Sequence, residues 1–349
     1  MKRVPSNDKA RLCDQARAHE QAHASRRRSR GWFGNGAAAV TGVLAGMSLA
    51  TRIAALRAQR SHPAAGDFAR VDGGRLHYLT RGQGQPVVMV HGAWVMMQDF
   101  LSSALFNHVA TRYRAVAFDR PGYGHSTRPG RPSSPWEQAR ILRSGLRALG
   151  IERPVLVGHS LGAAVVMAYA EQFPDEIAGV VFINGLAYPI PRIDLTPFML
   201  PAIPVAGSVL RYTVLQPVYQ AMLPAVLKAS FWPQDITPSF SQAVPLEMLL
   251  RPEQLRATAE DLAALIPALA HLRASYAGID VPVAIVTGEK DRVASPSKHA
   301  IPLSKELPRA TLTLLPGIGH MAHHFRQDAI LSAIAQVLQE PSTAATAAR

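Results

Sequence analysis

The sequence predicts an α/β fold: a mostly parallel sheet flanked by helices, with a helical insertion late in the chain. Three observations carry this. From residue 61 onward, apolar runs ending in glycine or proline alternate with stretches of helical spacing. The alternation breaks at about Tyr188 and resumes at "VPVAIVTGEKD" (281–291). Ser160 stands between two glycines, in "PVLVGHSLGAAVVMAYA", where a strand gives way to a helix.

The elements follow in order. "FARVDGGRLHYLTRG" reads as two strands around Asp72-Gly73-Gly74, a hairpin signal. "PVVMVHG" (86–92) is a continuous apolar run, the pattern of a strand buried on both faces. "YRAVAFDRPGYG" (113–124) is another, stopped by its proline and glycines. "SPWEQARILRSGLRALG" (134–150) spaces Ile141, Leu142, Leu146 and Leu149 as a helix does, and Gly150 ends it. The strand before Ser160 and the helix after it come next, then "IAGVVFING" (177–185) as a strand. After the break, 281–291 and "ATLTLLPGIGH" (310–320) supply the last strands, and "DAILSAIAQVLQE" (328–340) the last helix. The break is an insertion, 188–280. From Tyr188 to Leu250 it has ten prolines and six charged residues, too many prolines for one long regular helix and too few charges for a solvated linker. Short helices folded over the sheet as a lid satisfy both constraints. The core is then 61–187 with 281–349.

Of 349 residues, 48% are hydrophobic and 17% charged, a globular balance. The formal charge of +13 is concentrated at the start, where residues 1–30 hold nine Lys/Arg against three Asp/Glu. It is a property of the 1–60 region, and with no recognition motif beside it nucleic acid is not an expected partner. The single cysteine, Cys13, excludes an intrachain disulfide. Residues 31–50, "GWFGNGAAAVTGVLAGMSLA", carry no charge and follow "SRRRSR". Three readings stand: a signal-anchor helix giving membrane association, an export signal cut after Ser48-Leu49-Ala50, or an extension with neither role. Without an anchor, the expected location is cytoplasmic.

A G-x-S-x-G sequence on a strand-to-helix turn presents its serine above the sheet, with the free N–H groups of the helix start beneath it. Gly158 and Gly162 remove the Cβ atoms that such a turn cannot hold. A serine needs a base, and the base an orienting carboxylate. "GEKDRVASP" offers Glu289 and Asp291; "PGIGHMAHH" offers His320, His323 and His324. Asp119 is read as fixing its own turn, His91 as shaping its loop and His159 as packing or hydrogen-bonding nearby. No His and acid spacing predicts a metal site.

From about residue 67 to 340 the chain resembles the α/β-hydrolase family, serine-nucleophile hydrolases with a helical cap. "VHGAW", "DRPGYGHS", "GHSLGA", a GxxD ending at Asp291 and "GIGHM" occur in order. The resemblance implies Ser160 as nucleophile, Asp291 rather than Glu289 as acid, and His320 rather than His323 or His324 as base. It implies an oxyanion hole from the N–H groups of Ala93 and Leu161, and no cofactor or metal. Relatives acting on epoxides or haloalkanes carry aspartate at the elbow, so Ser160 implies acyl transfer instead. The expected substrate is a small, mainly apolar carboxylic ester, met by Phe198, Met199, Leu200, Tyr212, Tyr219, Met222, Leu223, Phe231 and Trp232 of the insertion. Alternatives are carbon–carbon bond hydrolysis with Arg192 or Arg211 holding a carboxylate, peracid formation, a scaffold that only binds a small ligand, and a basic membrane-surface adaptor.

Overall fold

A computed structural model describes residues 17–18, 39–128 and 134–339. The basic tail and the first part of the 31–50 segment lie outside the described residues. The chain divides into two units, Met1–Ala50 and Thr51–Arg349. One helix, α1 (Ala39–Ser61), is long and apolar enough to cross a membrane.

In the larger unit, β1 (Asp67–Val71) and β2 (Gly74–Arg81) form the hairpin, with Gly73 at φ 76° in its turn. Then come β3 (Pro86–Val90), the short helices α2 (Gln98–Ser102) and α3 (Leu105–Ala110), β4 (Arg114–Phe118) and α4 (Pro135–Ala148). Ser134 caps α4, accepting the N–H of Glu137 at 3.3 Å, and Pro135 starts it without wasting a donor. β5 (Val155–His159), α5 (Leu161–Gln172) and β6 (Gly179–Ile183) follow.

The chain then leaves the sheet. A 3₁₀ segment, Ile193–Ala202, is followed by α6 (Ala206–Tyr212), α7 (Leu215–Phe231), α8 (Pro238–Ala243), α9 (Leu246–Leu249) and α10 (Pro252–Ser275). β7 (Val283–Gly288), α11 (Ala300–Glu306), β8 (Ala310–Leu315), α12 (Ala322–Phe325) and α13 (Gln327–Gln339) complete the fold. Two of the insertion helices are not short: α7 has 17 residues and α10 has 24, with Pro224 and Pro267 inside them. An interior proline costs about 3 kcal/mol. In α7 that cost is offset by a stripe at every fourth position, Leu215, Tyr219, Leu223, Leu227 and Phe231, all buried.

The strands form one sheet in the order β1-β2-β4-β3-β5-β6-β7-β8. The first two pairings, β1 with β2 and β2 with β4, are antiparallel; the rest are parallel. Alternate residues of each central strand feed opposite cores. Val88 and Val90 face α4, α5 and the insertion, while Val87 and Met89 face α2, α3 and α13. Both faces are covered, which is why these strands read as unbroken apolar runs. The register sets Val90 beside Gly158, His159 beside Ile183, and Ile183 beside Val286. The loops after β3, β5, β6 and β7 therefore leave one edge of the sheet together, the edge where ligands of open α/β sheets collect.

Candidate active site

Ser160 has φ 55° and ψ −118°, a conformation that side chains other than glycine's rarely adopt. Close packing of the turn enforces it. A Cβ on Gly158 would meet Val166 Cγ2 at 2.6 Å and Ala163 Cα at 2.7 Å; one on Gly162 would lie 2.2 Å from Val90 O. Gly92, on the loop after β3, admits the serine itself, since a Cβ there would stand 3.1 Å from Ser160 Cβ. The Ser160 N–H donates to Ile183 O at 3.0 Å, tying the elbow to β6.

Asp291 and His320, from the loops after β7 and β8, meet. His320 Nδ1–H donates to Asp291 Oδ2 at 2.8 Å, and both side chains are buried. Asp291 Oδ1 accepts the N–H groups of Val293 and Ala294 at 2.8 and 2.9 Å, and its Oδ2 also accepts Asn184 Nδ2 at 2.8 Å. Burial alone would raise the Asp291 carboxyl; the His320 imidazole and these donors outweigh it and hold it below the usual range. Glu289, two residues away, is exposed.

Ala93, Ser160, Leu161 and His320 line one cavity of about 90 Å³. Among the described residues no protein acceptor takes the N–H of Ala93 or Leu161, so both donors remain available there. The walls are otherwise mostly apolar, with Trp94, Leu195, Val226, Leu227, Leu262 and Met321. The only charged side chain in the lining is Arg192, whose guanidinium is taken by Asp194 at 2.8 and 2.9 Å and by Val293 O at 2.9 Å. None of the nine insertion residues expected to line this cavity does so. Phe198 and Tyr219 instead stack edge-on against Trp94, at 4.9 and 5.8 Å between ring centroids, so the large aromatics form the wall behind the lining. Met199 lines a smaller adjoining cavity. Arg211 is buried away from the site, donating to Pro201 O at 2.7 Å.

The loop after β3 is held from beneath. His91 Nδ1–H donates to Gly92 O at 2.8 Å, while its Nε2 accepts the N–H of Arg120 at 3.0 Å. Nε2 must therefore be unprotonated, and burial beside Arg120 lowers the His91 pKa to about 4. Asp119 accepts Met97 N–H at 2.9 Å, His125 N–H at 3.0 Å and His77 Nδ1–H at 2.6 Å, so it fixes this loop as well as its own turn. Arg120 donates to Gly92 O at 3.0 Å and to Asp261 of α10 at 2.6 Å, joining the insertion to the same loop.

The sequence reading missed a second group. His323 and His324, set aside as base in favour of His320, are buried around Asp99 of α2. His324 Nε2–H donates to Asp99 Oδ1 at 2.9 Å, His323 Nε2 lies 3.0 Å from Oδ2, and His159 Nδ1 lies 3.7 Å from Oδ2. Burial would raise the Asp99 carboxyl, but the two histidines hold it well below the carboxylate range. Burial, with His323 and His320 beside it, pushes His159 well below the usual imidazole value. Donor atoms of Asp99, His323 and His324 lie within 4.8 Å of one another, close enough to hold a cation. Asn184, at φ 45°, was also missed; its only sequence signal is an Asn-Gly pair ending a strand.

An elbow serine, a paired carboxylate and imidazole, and two unpaired N–H groups on one cavity define a class, and comparison agrees with it. The chain belongs to the alpha/beta hydrolase fold family, whose model matches residues 85–327. It is similar to haloalkane dehalogenase 2 of Mycobacterium tuberculosis, 29% identical over 278 residues, covering 75% of this chain and 90% of that one. It is similar to the cis-3-alkyl-4-alkyloxetan-2-one decarboxylase of Shewanella oneidensis, 29% identical over 306 residues and covering 80% and 90%. An α/β hydrolase fold protein from Burkholderia ambifaria superposes with a TM-score of 0.65 at 22% identity, over 79% of this chain and 98% of that one. The relatives' reactions differ, so what they share is the α/β-hydrolase scaffold and not a substrate.

Proposed function

We propose that the protein is a serine hydrolase that cleaves a small, mainly apolar carboxylic ester through an acyl-enzyme. The observation that carries this is the convergence, on one cavity, of Ser160 at a strained turn, the Asp291–His320 pair and the unpaired Ala93 and Leu161 N–H groups. His320 takes the Ser160 proton as its oxygen attacks the ester carbonyl. The two N–H groups receive the oxyanion, at about 3 kcal/mol per donor. Asp291 holds Nδ1–H in place, so Nε2 is the free base, and it stabilises the imidazolium. The leaving alcohol takes that proton, and water activated by His320 releases the acid.

Apolar walls and an Arg192 already neutralised by Asp194 favour a neutral ester over a carboxylate-bearing substrate. In this reading residues 188–280 form the cap of a core made of 61–187 and 281–349, and α1 anchors the chain to a membrane. The test is mass spectrometry after fluorophosphonate treatment. An adduct on Ser160 that disappears in His320→Ala supports the reading; a folded protein with no adduct removes it.

A further inference from the structure

Fifteen large apolar side chains are exposed among the described residues, and eight of them lie between Ile193 and Met222. Ile193 is 83% exposed, Val205 81% and Val209 50%. Two more, Ile53 and Leu56, belong to the part of α1 in the same unit. Eight exposed large apolar side chains along one stretch of chain are more than the scattered single residues usual on a soluble surface.

Charge is correspondingly scarce. Between Ile193 and Leu227 the charged residues are Asp194 and Arg211. Asp194 is held by Arg192, and Arg211 is buried. The 3₁₀ segment and α6 bend by 92° at their junction, and together they are as apolar as a membrane span. Val205 stands at that bend, with Ile203 beside it. This is a wedge, too short on either arm to cross a bilayer and too apolar for water.

The wedge is fastened to the part of α1 that lies in the larger unit. Arg52 lies over the Tyr212 ring of α6, 4.9 Å from its centroid, and Ala58 is buried in the same core cluster as Leu215 and Tyr219. His62, just past the helix, bonds Glu247 of α9 at 2.6 Å. Residues 51–62 thus pack on the elements that carry the wedge.

We propose that the face formed by Ile193–Tyr212 and the first turns of α7 docks into the interfacial layer of a lipid bilayer. The same elements supply Leu195, Val226 and Leu227 to the cavity beside Ser160. Resting on the hydrolase reading, this favours neutral esters that partition into lipid.

The test uses the full chain with Cys13→Ser, so that a single introduced cysteine carries an environment-sensitive fluorophore. Val205→Cys and Val209→Cys are compared with Ser332→Cys at an exposed position of α13, in phosphatidylcholine–phosphatidylglycerol vesicles. The labels at 205 and 209 should lose most of their emission to a quencher on the lipid tails and resist aqueous iodide; the label at 332 should do the reverse. Iodide quenching at 205 and 209 equal to that at 332 would overturn the proposal. So would protection from both quenchers, which would place a second copy of the chain on this face. Neither readout depends on activity, so failure of the face and failure of the Ser160 adduct are separate results.

Discussion

His159 Nε2–H donates to the backbone carbonyl of His320 at 3.1 Å, so the residue before the elbow serine holds the segment that carries the histidine. His159→Phe keeps the ring volume and removes that bond. The His320 loop should then sample positions off the line to Ser160, with turnover of an ester falling on the order of tenfold. Thermal unfolding and stopped assays on the purified variant check both halves. A turnover equal to wild type would remove the positioning role.

Asp291→Asn replaces an acceptor facing His320 Nδ1 with an amide whose NH₂ can face it. The imidazole then turns to the tautomer with its proton on Nε2, where the base must be free. A loss of roughly 10⁴ in kcat is expected, with the fold intact. Rates and a near-ultraviolet spectrum decide it; a loss of tenfold or less would show that Asp291 is not the orienting group.

Ser160→Gly should separate stability from activity. Glycine relieves the positive φ at 160 and so should raise unfolding free energy by about 1 kcal/mol, while hydrolysis disappears. Urea titration of the variant beside wild type gives the answer. An unchanged midpoint would mean the turn relaxes without strain.

Acid should destabilise the protein before its carboxylates titrate. His91 and His299 have pKa values lowered to about 4, in both cases chiefly by burial, and each accepts backbone N–H groups that demand the neutral ring. Above an unfolded value of about 6.5 neither state is protonated, and nothing is lost. Below it the unfolded chain takes up protons that the folded one refuses, so stability falls from pH 6.5 towards pH 4, by about 3 kcal/mol for His91. Below that, the depressed carboxyl of Asp291 acts in the same direction, since its contribution is lost as pH falls through its folded value. Melting temperature against pH tests this, and His91→Gln should flatten the upper part of the curve.

Much of the fold was legible because burial on both faces writes itself into the chain. β3, β5, β6 and β7 read as strands from apolar runs alone, and Ser160 was legible because strand, glycines and helix are consecutive in sequence. The Asp99 cluster was not, since Asp99 and His324 stand 225 residues apart and neither position carries a local pattern. The α7 stripe was hidden by Pro224 and its neighbours, whose composition argues against a helix that tertiary burial then stabilises. Residue type points the aromatic residues of the insertion to the cavity, yet type does not tell a lining ring from one packed behind it.

Helix α5 buries ten consecutive residues, Leu161 to Ala170, between the sheet, α4 and α10. From Leu161 to Ala170 it has no wet face; only Glu171 and Gln172 at its end are partly exposed. Its backbone amides should exchange with deuterium only when the whole unit unfolds. The turn bearing Ser160 is part of that slowest-exchanging body. Loss of the elbow geometry on heating should therefore track global melting in a single step, with no earlier transition in which the domain stays folded and the turn has come apart.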